Sequence, residues 1–161
     1  MPMSYIQDLR RSVENVPLIM VGATVLIFND RDELLILLRT DNGCWGVPGG
    51  VMEPGELLEN TARRETQEET GLIIDHLYLV DVFSGPELYY CYPNGDQVFN
   101  VSVVYIAPEV AGEIELNLEE HSQWKYCPLD RLPENISPPI KPILAKFMES
   151  LKPLQKVIQH E

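Results

Sequence analysis

The sequence contains few cysteines: three in 161 residues, at Cys44, Cys91 and Cys127. Their odd number, their wide spacing and the lack of a CxxC pair argue against a disulfide framework and against a zinc site. A basic and apolar leader is also missing, and the longest apolar run, PLIMVGATVLIF, is too short to span a bilayer. We therefore expect free thiols, a cytoplasmic location and no contact with a membrane.

Basic residues are scarce as well. Twelve Lys and Arg stand against 25 Asp and Glu, which gives a formal net charge of −13. A surface of this charge argues against non-specific binding to nucleic acid backbones or anionic membranes. If the ligand is itself an anion, we expect cations to lie between it and the protein. The composition does not decide the oligomeric state, and a homodimer stays open.

The chain shows no internal repeat, no low-complexity tract and no linker, and its length suits a single domain over 1–161. Amphipathic patterns predict an N-terminal helix at 4–13 and a C-terminal helix at 138–152. Between them, a run of helix formers at 56–71 predicts a helix that ends at the glycine cap Gly71.

Apolar, β-prone segments predict the strands. The first two, 21–28 and 33–40, are joined by NDRD and are predicted to pair as an antiparallel hairpin. A further strand is predicted at 72–84, two strands flank a PNGD turn within 87–107, and the last lies at 124–129. The order of strands, helix, strands and helix indicates an α/β domain in which helices cover a mixed β-sheet.

The central helix contains the run RETQEE, in which Glu65, Glu68 and Glu69 are spaced i, i+3 and i+4. At 3.6 residues per turn, the three carboxylates project from one side of the helix. A solvated acidic face is the ordinary interpretation. It fits poorly here, because Glu59 and Arg63 are spaced to form an ion pair on the outward face. A stripe beside the glutamates would pack on the sheet: Leu58, Ala62 and Thr66. The carboxylates then lie at the edge of the buried face, where a cation is the natural partner.

Oxygen ligands without histidine or thiolate suit Mg²⁺ or Mn²⁺, which proteins hold with a few carboxylates, waters and substrate phosphates. The cluster therefore predicts a metal-dependent reaction on phosphates. The ion would neutralise the substrate, polarise phosphorus–oxygen bonds and lower the pKa of a bound water. The pair Gly49 and Gly50 permits close backbone approach, so a carbonyl there is a further candidate ligand.

With its neighbours, this run resembles the Nudix box of the Nudix (MutT-like) hydrolase family, G-x5-E-x7-R-E-U-x-E-E-x-G-U, in which U is a bulky aliphatic residue. Every fixed glycine, glutamate and arginine is present at its spacing: Gly50, Glu56, Arg64, Glu65, Glu68, Glu69 and Gly71. One position departs from the pattern. Thr66 stands where an aliphatic residue is usual, and this concerns local packing, not chemistry. The resemblance extends over roughly 18–150.

The resemblance implies an α/β/α sandwich that hydrolyses a nucleoside diphosphate linked to another group X (NDP-X), by attack of water at phosphorus with Mg²⁺ or Mn²⁺. It implies metal ligands from the three box glutamates and the Gly49 carbonyl. Arg64 would hold the glutamates in place by charge-assisted hydrogen bonds. Glu56, together with Glu53, would belong to the outer ligands.

The resemblance leaves the general base open between a metal-bound box glutamate, which we favour, and an acid from the later segment NLEEHSQW. In that segment Glu119 and Glu120 are the candidates, whereas Gln123 cannot act as a base. His121 next to them is interpreted as a surface-loop histidine.

The substrate side is less defined. Tyr rings around the PNGD turn, among them Tyr89 and Tyr90, are candidates for stacking on a nucleobase, and packing within a sheet explains them equally well. Trp45 either stacks on a ligand or anchors its loop. The spacing of Pro86 is similar to that of ADP-ribose hydrolases, whereas the spacing of Tyr89 is similar to that of dinucleoside polyphosphate hydrolases.

These features favour a pyrophosphohydrolase of small nucleotides, with ADP-ribose or an NDP-sugar as the leading type of substrate. Hydrolysis of modified nucleoside triphosphates or of dinucleoside polyphosphates is the alternative. A module that senses a nucleotide without cleaving it ranks below both, because the box is intact and no DNA-binding segment is present in the sequence.

Overall fold

The computed structural model describes residues 4–158, with side chains described for 4–151. Within this part of the chain there are three α-helices: α1 (Tyr5–Val13), α2 (Leu58–Thr70) and α3 (Lys141–Ile158). The strands are β1 (Leu18–Ile27), β2 (Glu33–Arg39), β3 (Trp45–Gly46), β4 (Gly49–Val51), β5 (Ile73–Ile74), β6 (Tyr78–Phe83), β7 (Tyr89–Cys91), β8 (Gln97–Ala107), β9 (Val110–Ala111) and β10 (His121–Pro128). None of the described helices combines the length and the hydrophobicity that crossing a bilayer requires.

The terminal helices occupy the expected places with shifted bounds. α1 begins after Ser4, whose hydroxyl accepts the Gln7 N–H at 3.3 Å while Gln7 Oε1 accepts the Ser4 N–H at 3.1 Å. This reciprocal pair is a capping box. α3 begins at Lys141 instead of 138, since two consecutive prolines precede it within a turn, and it continues to Ile158.

The strands form a mixed sheet and an antiparallel sheet. The order of the larger sheet is β4-β1-β8-β6, with β7 also pairing with β8. β1 and β8 are parallel over their whole paired length, from Leu18 opposite Val98 to Ile27 opposite Ala107, and the other pairs are antiparallel. The second sheet has the order β10-β2-β3, and β5 pairs separately with β9.

The predicted hairpin of the first two strands is wrong in its pairing, although both strands exist. β1 and β2 lie in different sheets and share one isolated antiparallel bridge, Phe28 opposite Leu34, beside the turn. From Ala23 onwards in β1 and over 34–37 in β2 the strands are buried on both faces, and each is flanked by partners brought from elsewhere in the chain: β4 and β8 beside β1, and β10 and β3 beside β2. Local turn chemistry predicted the reversal of direction, and tertiary pairing decided the neighbours.

Two cores lie on opposite sides of the strands, and the alternation of side chains assigns each residue to one of them. Leu26, Leu34 and Ile36 pack with Ile143 and Leu144 of α3. The neighbouring side chains pack with Ala62 of α2, and they are Val25, Ile27, Leu35 and Leu37. The helices therefore cover the strands from both sides, which confirms the α/β/α arrangement with a mixed sheet.

The later strands follow the predictions in part. β7 and β8 form the hairpin around PNGD, with Tyr89 opposite Phe99 and Gly95 at a positive φ of 91° in the turn. The single strand predicted at 72–84 is divided into β5 and β6, which pair with different partners. The last strand begins at His121, before the predicted 124–129, and this extension brings a histidine to the candidate site.

Candidate metal and substrate site

The helix α2 carries the acidic cluster at the edge of the sheet. It ends at Gly71, whose φ of 73° and whose N–H bond to the Gln67 carbonyl form a left-handed cap. Thr61, Ala62 and Thr66 are fully buried on the side that packs against the strands. This agrees with the predicted stripe beside the glutamates.

The three glutamates of the cluster are not equivalent. Glu69 is 4% exposed, the side chain of Glu65 is 17% exposed, and that of Glu68 is 56% exposed. The spacing predicts that they share a side of the helix, but only the contact with the strands decides which of them is buried. Glu65 and Glu69 therefore lie inward, and Glu68 lies at the solvent edge.

The backbone of Gly49 and Gly50 fixes the positions of the two inner carboxylates, those of Glu65 and Glu69. The Gly49 N–H donates to Glu69 Oε2 at 3.0 Å, and a Cβ at Gly50 would overlap the carboxyl group of Glu65. Burial raises the pKa of Glu69 well above its usual value and that of Glu65 to about 7, and the charge of Glu120 adds to both shifts. A cation beside these carboxylates would oppose both pKa shifts.

Arg64 ties the cluster together. Its guanidinium makes a two-bond pair with Glu56, at 2.7 Å and 3.0 Å, and donates to Glu65 Oε1 at 2.9 Å and to Glu68 Oε2 at 3.3 Å. It also donates to the Val51 carbonyl at 3.1 Å. The Arg64 hydrogen bonds hold the pKa of Glu56 down at about 2. Arg64 thus neutralises part of the cluster and orients Glu65.

Glu56 and Glu53, expected as outer ligands, have bonds within the protein. Glu56 Oε2 accepts the Thr61 hydroxyl at 2.7 Å and the Glu53 N–H at 3.0 Å in addition to Arg64. The Glu53 carboxylate accepts the Tyr5 N–H at 3.2 Å, at the start of α1. Glu56 therefore reaches the cluster only through Arg64. Glu53 connects the segment between β4 and α2 to the start of α1.

The predicted ion pair of Glu59 and Arg63 does not form. Arg63 donates instead to the backbone carbonyls of Ile74 and Asp75, at 3.3 Å and 2.8 Å. These carbonyls follow α2 in the chain and lie beside it, so the arginine fastens the next segment to the helix.

A second segment brings ligand atoms to the same place. Glu120 and His121 stand at the start of β10, and the ligand atoms of Glu69, Glu120 and His121 lie within 4.8 Å of one another. Glu120 is exposed, and its Oε1 accepts the Asn117 amide at 3.1 Å. The long separation of 120 from 69 in sequence hides this convergence, which results from the pairing of β10 with β2.

The interpretation of His121 as a surface-loop residue is wrong. The residue is 3% exposed, and it lies at the first pair of β10, opposite Arg39. Burial lowers the pKa of His121 to about 4, so its imidazole is neutral near pH 7. The acidic and polar neighbours EE and SQ gave it the appearance of a loop residue.

A cleft adjoins the glycine pair, and it separates the aromatic candidates. Tyr90 and Tyr92 line it, and their rings meet edge to face at 4.8 Å between centroids. Tyr89 points to the other face of the hairpin, where it packs on Phe99 at 5.2 Å. The alternation of the strand explains this division.

Trp45 is positioned as a loop anchor, not as a wall of the cleft. It is 8% exposed. Its backbone N–H donates to the Asn135 carbonyl at 2.9 Å, and its backbone carbonyl accepts the Ser137 N–H at 2.8 Å. The Lys125 ammonium lies 4.5 Å from its ring centroid. Of the two interpretations of Trp45, the structure therefore favours anchoring.

The sequence did not single out Arg39 and Asp41. Arg39 lines the cleft, and it makes a two-bond pair with Asp41 at 2.9 Å and 2.7 Å. Among the described residues that line the cleft, Arg39 is the one charged side chain. One feature of the sequence could have indicated Arg39: it is a basic residue at the end of an apolar strand, next to a DNG turn.

The donor set fits a divalent cation. It offers the hard carboxylate oxygens that Mg²⁺ and Mn²⁺ prefer, and the buried Glu69 and the half-buried Glu65 both have raised pKa values. The backbone of Gly49 and Gly50 joins these carboxylates to the cleft. This arrangement can hold a cation between the acidic cluster and an anionic ligand in the cleft.

Comparison with known proteins agrees with this geometry. A family model described as NUDIX domain matches residues 18–148. The ADP-ribose pyrophosphatase of Methanocaldococcus jannaschii is 31% identical over 109 residues, which are 65% of this chain and 60% of that protein. A putative 8-oxo-dGTP diphosphatase of Bacillus subtilis is 44% identical over 50 residues, 31% of this chain and 34% of that protein. The chain thus spans less than two thirds of either relative.

Among solved structures, the MutT Nudix hydrolase from Burkholderia pseudomallei is similar with a TM-score of 0.67 and 27% identity, covering 79% of this chain and 96% of that one. The match of the family model extends over most of the chain and includes the whole acidic cluster. The chain therefore belongs to the Nudix family.

Proposed function

We propose that this chain hydrolyses a phosphoanhydride bond in an NDP-X compound, such as ADP-ribose or an NDP-sugar, with Mg²⁺ or Mn²⁺ as the cofactor. The observation that carries the proposal is the convergence of Glu69 and Glu120, with the Glu65 carboxylate against Gly50, beside the glycine pair that borders the cleft. Membership of the Nudix family and the similarity to the ADP-ribose pyrophosphatase of M. jannaschii support it.

The metal ligands in this proposal are Glu65, Glu68 and Glu69, with the carbonyl of Gly49. The bound ion would neutralise phosphate oxygens and lower the pKa of a water molecule. A box glutamate accepts the proton of the attacking water, with Glu120 as the alternative. The new bond joins the water oxygen to phosphorus, the anhydride bond breaks, and two phosphorylated products leave.

On the substrate side, Arg39 donates to a phosphate of NDP-X, because it is a cation on the cleft wall in a chain of net charge −13. Tyr90 holds the base or the X group by its ring. Its hydroxyl accepts the Asn42 amide at 2.6 Å, which fixes the orientation of the ring. The position of Tyr89 outside the cleft weakens the spacing similarity to dinucleoside polyphosphate hydrolases.

Modified nucleoside triphosphates are the second candidate substrates, because the chain is also similar to the putative 8-oxo-dGTP diphosphatase of B. subtilis. Both candidates use the same metal site and differ in the contacts of the cleft. A cytoplasmic location and a homodimer stay predictions, and light scattering after size-exclusion chromatography tests the second.

The test is a substrate panel with product identification by ³¹P NMR. It contains ADP-ribose, an NDP-sugar, a dinucleoside polyphosphate, 8-oxo-dGTP and 5′-triphosphate RNA, each with Mg²⁺, Mn²⁺ or EDTA. We expect turnover of an NDP-X compound that EDTA abolishes. Glu69→Gln should lower kcat by about 10² to 10⁴, and the matched control Glu59→Gln, on the exposed side of the same helix, should retain it.

Two outcomes would overturn the proposal. Turnover of 8-oxo-dGTP with no cleavage of any NDP-X compound would favour the second candidate. Tight binding of a nucleotide without cleavage of any member of the panel, with metal supplied, would identify a sensing module.

A further inference from the structure

The buried histidine at the start of β10 has an unsatisfied ring nitrogen. His121 is 3% exposed, and its Nδ1 has no hydrogen-bond partner among the described residues. Buried polar atoms are nearly always hydrogen-bonded, so an orphaned one in a native structure points to a missing partner. None of the described residues supplies that partner, and a bound cation is a group that would.

The same side chain lies among carboxylates. One ring nitrogen of His121 and one oxygen each of Glu69 and Glu120 lie within 4.8 Å of one another. Three atoms that are 4.8 Å apart lie about 2.8 Å from their common centre, whereas a metal–ligand bond to a small divalent ion is about 2.1 Å. Shifts of up to roughly 0.7 Å therefore let one ion contact all three side chains.

Each carboxylate also has an oxygen to spare. Glu69 is held through Oε2 by the Gly49 N–H, and Glu120 is held through Oε1 by the Asn117 amide. The other oxygen of each group accepts no hydrogen bond from the described part of the chain. Both side chains are thus oriented by one oxygen while the second remains available as a ligand.

A β-bulge directs the histidine towards this place. The register of β10 against β2 shifts by one residue, since His121 lies opposite Arg39 while Gln123 lies opposite Leu38. Cross-strand partners share a face, and Arg39 follows Leu37 on the side of the sheet that α2 covers. Without the bulge, Ser122 would take this position. Bulges that aim a side chain are common beside active sites.

We propose that His121 supplies a nitrogen ligand to the ion held by Glu69 and Glu120, so that this position takes Mn²⁺ or a later transition-metal ion in preference to Mg²⁺. Imidazole nitrogen is a good ligand for transition metals, whereas Mg²⁺ requires oxygen ligands and waters. The inference rests on the proposed metal-dependent function, because it shares Glu69 and Glu120 with that site. It adds the histidine and the metal preference.

The test uses Mn²⁺ as the probe and electron spin-echo envelope modulation as the readout, which detects a nitrogen nucleus bonded to the ion. We expect ¹⁴N modulation in the tag-free chain, and we expect it to change to the ¹⁵N pattern when histidine is supplied as ¹⁵N-histidine. The chain has three histidines, at 76, 121 and 160. The modulation should therefore persist in the control His76→Gln/His160→Gln, which retains only His121.

The variant His121→Gln should lose the modulation. Its Kd for Mn²⁺ should rise by about tenfold or more, and its Kd for Mg²⁺ should change by less than about threefold. Circular dichroism and thermal melting establish whether this variant folds. If it does not fold, the isotope exchange in the control variant decides, because there His121 is the one possible source of a histidine signal.

The absence of ¹⁴N modulation in the wild type, or its survival in folded His121→Gln, would overturn the inference. The same samples are assayed with the substrate panel, so the two proposals fail separately. Turnover without histidine coupling to Mn²⁺ would retain the proposed function and reject the ligand. Histidine coupling without turnover of any substrate would retain the ligand and reject the hydrolase.

Discussion

Thr66 is the one position of the acidic helix at which the sequence departs from the family pattern, and its hydroxyl is an energetic cost. The residue is 0% exposed, and its Oγ1 has no hydrogen-bond partner in the described structure. We predict that Thr66→Val, which keeps the shape and removes the hydroxyl, stabilises the protein. The intrinsic helix propensities of Thr and Val are nearly equal, so they cancel in this comparison.

The magnitude follows from the unsatisfied hydroxyl. A buried polar group without a partner costs about 1–3 kcal/mol. Part of this cost is recovered if the side chain relaxes, so we expect the free energy of unfolding to rise by about 1–2 kcal/mol. For a chain of this length, that corresponds to an increase in Tm of roughly 2–8 °C.

Thr61 is the matched control on the same helix. It is equally buried, but its hydroxyl donates to Glu56 Oε2 at 2.7 Å. Thr61→Val should therefore destabilise the protein by about 1.5–3 kcal/mol, the range for a hydrogen bond to a charged group. Urea denaturation in metal-free buffer gives the free energy of unfolding of both variants. An unchanged m-value shows that the denatured state has not changed.

The opposite signs are the decisive feature. If Thr66→Val were neutral or destabilising while Thr61→Val lost stability as expected, the Thr66 hydroxyl would have a partner, and the burial argument would be refuted. Turnover should change little in Thr66→Val, because the side chain is fully buried and does not line the cleft.

Three further predictions concern the site. Arg64→Lys should lower kcat at least about tenfold, since an ammonium cannot reproduce the two-bond pair with Glu56. The depressed pKa of Glu56 adds stability that is fully present above pH 4.5 and is lost as the pH falls towards 2, so unfolding measured across this window should be less pH-dependent in Glu56→Gln. Tyr90→Leu should raise KM for the substrate, whereas Tyr89→Leu should leave it near the wild-type value.

Each of these predictions has a contrary outcome. Equal kcat losses in Arg64→Lys and in Arg63→Lys, whose wild-type arginine donates to carbonyls outside the cluster, would assign the effect to helix stability. An unchanged pH profile in Glu56→Gln would mean that this carboxylate is not paired with Arg64 in solution. Equal KM effects at Tyr89 and Tyr90 would contradict the division of the two rings by strand alternation.

Local periodicity predicted the acidic helix well, because its information is contained in adjacent turns. The spacing of Glu65, Glu68 and Glu69 gives a shared side, and Gly71 gives the end of the helix. The unequal burial of the three carboxylates could not be predicted in this way. It depends on where strand β4 meets the helix at Gly49, which is a tertiary property.

The contribution of β10 was missed for a related reason. Glu120 was a candidate base because it lies in an acidic segment. The alternation of side chains does not reveal its neighbour His121, because the β-bulge interrupts that alternation at the start of β10. Arg39 was missed because it reaches the site by pairing with His121, its partner across the strands β2 and β10. Both positions are specified by strand register, which a single sequence does not encode locally.

The wrong pairing of the first two strands has the largest consequence for function. In a hairpin, hydrogen bonds would join β1 and β2 along their length, and no space would separate them. Instead the strands share only the bridge of Phe28 and Leu34 and then diverge into two sheets. The cleft lies between the diverging ends, with 22–24 of β1 on one wall and Arg39 of β2 on the other. The pairing of β1 with β4 and β8 withdraws β1 from the partner that the turn alone would have supplied, and residues of both β1 and β2 line the cleft next to the acidic helix.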